Sequence, residues 1–338
     1  MAGHFVDVRP WRQARTVVGL RVASVALTAL LTPPAHAGEI EVAGPAGALR
    51  GTFLPAQGTT NAPAVLILAG SGPVDRDGNA SFGTRAAPLR RLAEALARRG
   101  VASLRVDKRG VGGSAGDGND VVMADYVADV QAWIAALRAR TGASCIWIAG
   151  HSEGGLVALL AARADASGLC GLVLLAAPGR PMGTILREQL RANPGYANLV
   201  PEADKAIAAL ERGERVDPDD LEPALAALFR PAVQRYLSDA MRHDPAAIAA
   251  RTRLPLVVIE GTRDIQIAPG DADRLLAARP DAWRVTIKDM NHVLSAVPSA
   301  DLQANLLAYG DPERPLAPGL ADAVSDAITG KAETVRRP

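Results

Sequence analysis

Hydrophobic and polar positions fall into three regimes along the chain. Residues 39–42 alternate weakly, and residues 48–53 follow the turn-rich Gly44-Pro45-Ala46-Gly47, which predicts a β-hairpin. Strand and helix patterns then alternate. Strands are predicted at 64–68, 101–106, 145–149 and 171–176, and helices at 88–99 (ended by Gly100), 124–140 and 152–164. Strands without polar alternation are buried on both faces, and βα units of this length imply a parallel sheet with right-handed crossovers and helices on both sides. From Gly179 to about Arg253 the strand pattern stops. Helix-like stretches there are punctuated by Pro181, Pro194, Pro201, Pro218, Pro223, Pro231 and Pro245. The pattern resumes with strands at 256–259 and 283–287 and helices near 271–278, 301–309 and 320–328. The expected architecture is α/β: a mostly parallel sheet over 38–178 and 254–338, with a helical lid, 179–253, inserted between the sixth and seventh strands. No repeat of about 20 to 50 residues is visible, which excludes a solenoid.

Composition agrees with this picture. The chain has 338 residues, 49% hydrophobic and 22% charged, which excludes a disordered or fibrous protein. At this length folding covers roughly three quarters of the surface the unfolded chain exposes, so the core needs no metal or disulfide framework. With 37 Lys and Arg against 36 Asp and Glu, the net charge of +1 gives no footprint for nucleic acid.

The first 37 residues read differently from the rest. Arg9, Arg12, Arg15 and Arg21 precede an apolar run at 22–31, and Ala35-His36-Ala37 offers a small-residue cleavage site, the pattern of a secretory signal peptide cut after Ala37. The apolar run falls short of the ~20 residues that span a bilayer, so no membrane anchor is expected after cleavage. The expected location is periplasmic or secreted. Removing the segment leaves 33 basic and 35 acidic residues and a charge of −2. It also leaves three histidines, His151, His243 and His292. In an oxidising compartment Cys145 and Cys170 can pair, whereas in a cytosolic chain they would be buried thiols. Two cysteines with no His pair at ligand spacing do not make a metal site.

Gly150-His151-Ser152-Glu153-Gly154 fits G-x-S-x-G, with an apolar strand running into it and a helix leaving it. A serine after a glycine turn can also simply cap a helix. The strand–turn–helix context favours a nucleophile, because flanking side chains would collide with neighbouring backbone and the following helix N-terminus favours developing negative charge. Such a serine needs a base. His151 leaves the turn in another direction and is expected to pack or bond locally, and His243, among Arg242 and Asp244, is expected in a solvated charge cluster. His292, in the loop after the last strand, is the base by elimination, since sites of parallel sheets gather at the carboxyl edge. Asp264 follows the preceding strand and is the preferred orienting carboxylate. Asp271 and Asp273 are competitors ranked lower as helix-capping residues, and Glu260 stays open. Backbone N–H groups of Glu153 and Ser71, with Gly72 second, are the expected oxyanion donors.

Ser152, Asp264 and His292, in that order, resemble the α/β-hydrolase fold over essentially the whole mature chain. Within it the chain is similar to a bacterial group of serine esterases. The likeness rests on Gly70-Ser71-Gly72-Pro73-Val74-Asp75-Arg76-Asp77-Gly78, on the loop from Asp107-Lys108-Arg109 to Ser114, on the serine elbow, on Met290-Asn291-His292 and on Tyr309-Gly310-Asp311-Pro312. The resemblance implies hydrolysis of carboxylic esters, often with short acyl chains, without metal or organic cofactor. The serine separates the chain from dehalogenases and dienelactone hydrolases, which carry Asp or Cys there.

Two loops imitate other chemistry. Gly110 to Ala115 meets a relaxed dinucleotide pattern, but loop residues continue where a phosphate-binding helix should open. Asp75, Asp77 and Asn79 imitate a calcium loop that lacks its glycine at 80 and its glutamate at 86. Asp75, Arg76, Asp77, Asp107 and Arg109 are instead expected to form a charged lattice under the oxyanion loop. Ile185, Leu186, Leu190, Leu210, Leu225, Leu228 and Phe229 are expected mostly to be lid core, with some lining an acyl pocket. The expected reaction is acyl transfer from a small-molecule ester, of short to medium acyl chain, through an acyl-enzyme. A peptidase, amidase or acyltransferase on the same triad remains the alternative, and a non-catalytic binding protein the least favoured reading.

Overall fold

A computed structural model describes residues 38–331, Thr60 and Phe82 excepted, so the expected signal peptide lies outside the described residues. The alternation after Gly38 produces the expected hairpin of β1 (Gly38–Gly44) and β2 (Gly47–Leu54). The apolar run β3 (Ala64–Leu68) is buried throughout. Helix α1 (Pro88–Arg98) opens on a proline, whose missing N–H costs nothing in a first turn, and buries Leu89, Leu92, Ala93 and Leu96. Each of those leucines contributes roughly 1.5–3 kcal/mol of burial. Strand β4 (Ala102–Val106), helix α2 (Met123–Thr141), strand β5 (Ile146–His151), helix α3 (Glu153–Ala164) and strand β6 (Leu169–Leu175) follow.

The segment after β6 is helical and, among the described residues, contains no strand. It holds α4 (Met182–Ala192), α5 (Val200–Glu211), α6 (Pro223–Leu228), α7 (Pro231–Met241) and α8 (Pro245–Ala249). The scattered prolines are its punctuation. Pro181 precedes α4, Pro201 sits in the first turn of α5, Pro223, Pro231 and Pro245 open α6 to α8, and Pro194 and Pro218 open two short 3-10 turns. Leu190, Leu210, Leu225 and Phe229 bury against one another with Ile207 and Leu237, and Leu186 and Leu228 pack at the margin, so the segment has its own core.

Strand β7 (Leu256–Gly261), helix α9 (Pro269–Ala278), strand β8 (Trp283–Ile287) and helices α10 (Leu302–Gly310) and α11 (Leu320–Thr329) complete the chain. The sheet order is β1-β2-β4-β3-β5-β6-β7-β8. β3 to β8 are parallel, and β2 joins β4 antiparallel. One apolar layer, under α2, α3 and α8, includes Trp133, Ile148, Leu159 and Leu174; the other, under α1 and α11, includes Ile67, Leu92, Val173 and Val324. Covering both faces leaves the carboxyl ends of the strands as the place where loops can converge on a ligand.

Cys145, just before β5, and Cys170, in β6, form a disulfide with Cα atoms 5.2 Å apart. It closes a loop at a sequence separation of 25, for which loop-closure entropy amounts to about 3.5 kcal/mol. The double variant Cys145→Ser, Cys170→Ser should lose about that much in urea unfolding, with an equal or steeper slope as the unfolded chain expands. An unchanged midpoint would show that the bridge does not constrain the unfolded chain.

Candidate active site

Ser152 joins β5 to α3 with φ 53° and ψ −124°, a backbone that a non-glycine residue holds only when its surroundings enforce it. They do so through backbone and steric contacts. Ser152 N donates to Leu175 O at 2.9 Å. A Cβ on Gly150 would stand 2.2 Å from Gly154 O, and one on Gly154 would stand 2.6 Å from Leu68 O. The two glycines flanking the serine are therefore steric necessities, as the sequence predicts.

His292 lies in the loop after β8, between the positive-φ residues Asp289 and Leu294. Buried Asn291 sews this loop together: its N–H donates to Ser295 O at 2.9 Å and its Oδ1 accepts from Ser295 N at 3.1 Å. His292 Nδ1 is 2.9 Å from Asp264 Oδ2, with the two side chains 7% and 3% exposed. Asp264 Oδ1 accepts the amides of Gln266 at 2.7 Å and Ile267 at 3.0 Å, so both carboxylate oxygens are engaged. With Nδ1 donating to Asp264, the neutral ring carries its lone pair on Nε2.

The competing carboxylates are occupied elsewhere. Glu260 accepts from Arg284 and Thr286, and Asp273 accepts from Arg284. Asp271 is fully buried and does not cap its own helix, contrary to expectation. Its carboxylate takes Gly179 N at 2.9 Å and pairs with Arg180, which fixes the root of the helical segment. His243 faces Asp239 at 3.8 Å rather than its sequence neighbours. His151 does not bond locally as expected: its Nε2 donates to the backbone oxygen of His292, 141 residues along the chain, at 2.8 Å, and the two rings stand 4.9 Å apart.

Gly70 lies against the serine, since a Cβ there would be 3.1 Å from Ser152 Cβ. Ser71 and Gly72 follow on an exposed loop. Behind that loop stands a cluster that the sequence reading missed. Lys108, whose side chain is 10% exposed, donates from Nζ to Gly70 O at 2.6 Å and lies 3.5 Å from Glu153 Oε1. Tyr236 of α7 donates its hydroxyl to Glu153 Oε2. Burial pushes Lys108 below the ordinary lysine value against the pull of Glu153, and burial beside that carboxylate pushes Tyr236 well above the ordinary tyrosine value. One signal for Lys108 was available: it is one of four lysines in a chain with 33 arginines.

A cavity of about 450 Å³ adjoins this cluster, bounded by Gly72 and Pro73, by the loop at Gly110 and Val111, and by Tyr126 and Tyr236. The charged lattice forms only in part. Arg76 donates from Nε and Nη2 to Asp107 Oδ2, at 3.1 and 2.8 Å, and reaches Glu39, while Asp77 pairs with Arg105 and Asp75 folds back on Asp77 N and Asn79 N. Arg109 departs from it, pairing with Asp129 of α2 at 2.7 Å and reaching Asp125 O at 2.9 Å, so α2 supplies its partners instead of the loop.

A family model described as serine aminopeptidase, S33 (Hydrolase_4), matches residues 82–295. Esterase EstD of Thermotoga maritima is 29% identical over 237 residues, which cover 69% of this chain and 54% of EstD. The chain thus spans about half the length of that relative. Among solved structures, Est1E of Butyrivibrio proteoclasticus with ferulic acid bound matches with TM-score 0.55 at 17% identity, over 88% of this chain and 100% of Est1E. The α/β hydrolase GrgF of Penicillium sp. sh18 matches with TM-score 0.52 at 19% identity, over 76% of this chain and 91% of GrgF. At these identities the structures show the α/β-hydrolase fold.

His151 gives the fold a pH dependence of known sign. Burial, with His292 alongside, holds its imidazole at about 4, below the ordinary 6.5. An unfolded chain takes up the proton as pH falls through about 6.5, while the folded chain refuses it until about 4. Stability is therefore whole above that window and is lost on descending through it. Urea unfolding at pH 7, 6 and 5 should show wild type losing about 1 kcal/mol per pH unit more than His151→Gln. Equal slopes would exclude a neutral buried His151.

Proposed function

The chain belongs to the serine aminopeptidase S33 family, and from that premise we propose that it is a serine hydrolase of carboxylic esters acting through Ser152, His292 and Asp264. The observation that carries the reading is the Asp264–His292 hydrogen bond at 2.9 Å, set on the same sheet edge as a serine held at positive φ. His292 Nε2 removes the Ser152 proton as Oγ attacks the ester carbonyl, and Asp264 stabilises the imidazolium. The Ser71 and Glu153 amides hold the oxyanion, and the alcohol leaves with the proton from His292. Water then repeats the sequence on the acyl-enzyme. No step calls for a metal or organic cofactor.

The helical segment acts as a lid, and the cavity beside Gly72 and Tyr236 takes a short to medium acyl chain. The resemblance to EstD supports esters as the substrate class. The family's description favours a second reading, a peptidase. An aminopeptidase needs a free carboxylate for the substrate ammonium, whereas Glu153, adjacent to the nucleophile, is engaged by Lys108 and Tyr236. Export to an oxidising compartment fits the Cys145–Cys170 disulfide and the N-terminal pattern.

Hydrolysis of a graded p-nitrophenyl ester series at neutral pH tests the proposal. Ser152→Ala should abolish turnover and labelling by a fluorophosphonate, and Asp264→Asn should lower kcat by roughly 10⁴. Slow esters beside a fast aminoacyl anilide would establish the peptidase reading instead.

A further inference from the structure

The cluster behind the oxyanion loop has a geometry that burial alone does not require. Lys108 Nζ is in ion-pair reach of Glu153 and in hydrogen-bond reach of Gly70 O, and it stands 5.5 Å from the centre of the Tyr126 ring. A buried ammonium is costly unless its donors are used, and a leucine or methionine would fill the same space more cheaply. Glu153 Oε1 makes no hydrogen bond and meets Lys108 only as an ion pair. The cluster is therefore not optimised for stability alone, and its two ends identify what it serves.

Gly70 O and Ser71 N belong to one peptide group. The carbonyl that accepts from Lys108 is the other end of the amide whose N–H the proposed mechanism gives to the oxyanion. A hydrogen bond to a peptide carbonyl polarises that peptide and strengthens its N–H as a donor. The other proposed donor is the amide of Glu153, whose side chain is the partner of the same ammonium. One charge thus links both sides of the oxyanion site. It matters most at the Ser71 side, where residues 71–73 are exposed and Gly72 holds φ +79°.

We propose that Lys108 is a positioning residue for acyl transfer: its ammonium holds and polarises the Gly70–Ser71 peptide and ties it to Glu153, so that both amide donors meet the developing oxyanion. The inference rests on the serine-hydrolase reading. Tyr236 holds Glu153 from the side of α7 and acts one step further from the oxyanion.

The experiment compares wild type with Lys108→Met, which keeps length and loses the donor, and with Lys108→Gln, which keeps a neutral donor. Turnover of p-nitrophenyl esters is measured beside the affinity of phenyl trifluoromethyl ketone, which forms a tetrahedral adduct on serine. Removing a direct oxyanion donor costs about 10²–10³ in kcat, so loss of an indirect one should cost roughly 10- to 100-fold in Lys108→Met, with KM within about twofold. Ketone affinity should fall by the same factor as kcat/KM. Lys108→Gln should lose roughly five- to tenfold on both readouts, and it carries the test if the methionine variant does not fold. A folded variant with kcat within twofold of wild type overturns the proposal, as does a loss of kcat without loss of ketone affinity. A wild type inert to esters, anilides and fluorophosphonate sinks the hydrolase reading itself. Loss confined to the variants leaves that reading standing and isolates the role of Lys108.

Discussion

The close approach of α3 to β3 and β5 constrains the rest of the site. At the elbow the first turn of the helix presses on two strands at once: Gly154 lies against the carbonyls of Leu68 and Ala69, Gly150 against Gly154 itself, and Gly155 against Ala177. A Cβ at any of these positions would stand 2.2–2.6 Å from its nearest neighbour, closer than real Cβ contacts, so the helix would have to shift. The serine between them would then relax from φ 53° toward ordinary backbone. Because Gly70 touches Ser152 across the same gap, the approach also sets where the loop after β3 begins. The strain is sustained by the large apolar layers on both faces of the sheet, which outweigh a local cost of order 1–3 kcal/mol.

Around that contact, the polar side chains each fix one segment relative to another. Asp264 fixes the His292 ring, His151 fixes the backbone of His292, and Gln266 links Asp264 to the Tyr309 hydroxyl at 2.9 Å. Arg76 and Asp107 tie the loop after β3 to the loop after β4, and Arg180 with Asp271 ties the start of the helical segment to α9. Each joins loops that are distant in sequence, at the edge of a sheet whose interior needs no such ties. Burial makes these pairs strong determinants of geometry even where desolvation cancels much of their contribution to stability.

Most of this fold was legible from the sequence because its elements are local. Unbroken apolar runs placed β3 and β5 to β7, and alternating burial placed the β1–β2 hairpin. The sequence could bring Ser152, Asp264 and His292 to one place because Ser152 follows β5 at once, Asp264 and His292 lie in the loops that follow β7 and β8, and strand ends of a parallel sheet share one edge. What escaped was set by contacts across long separations. Tyr236 meets Glu153 from 83 residues away and Lys108 meets Gly70 from 38, and no local pattern announces either. Arg109 was misplaced for a related reason: its partner Asp129 lies 20 residues on, in α2, and no local pattern marks that pairing. Asp271 was read as a cap because its place in a first turn is visible, whereas Gly179, 92 residues earlier, is not.

The helical segment stands in two relations to the sheet. Ala240, Ile248 and Ala249, from the end of α7 and from α8, belong to the main apolar layer, while α5 and α6 pack into the segment's own core. Helix α7 straddles the two, with Ala240 in one core and Leu237 and Met241 in the other. The cavity wall at Tyr236 therefore comes from the part of the segment that is anchored twice. Its phenol is held further by Glu153, and Met123 N donates to Asp239 of the same helix at 2.7 Å. A wall anchored this way holds the side of the cavity at Tyr236 in place beside Gly72. The core that holds α5 and α6 reaches the wall itself, since Val233 and Tyr236, which line the cavity, pack against the same cluster as Leu237 and Met241.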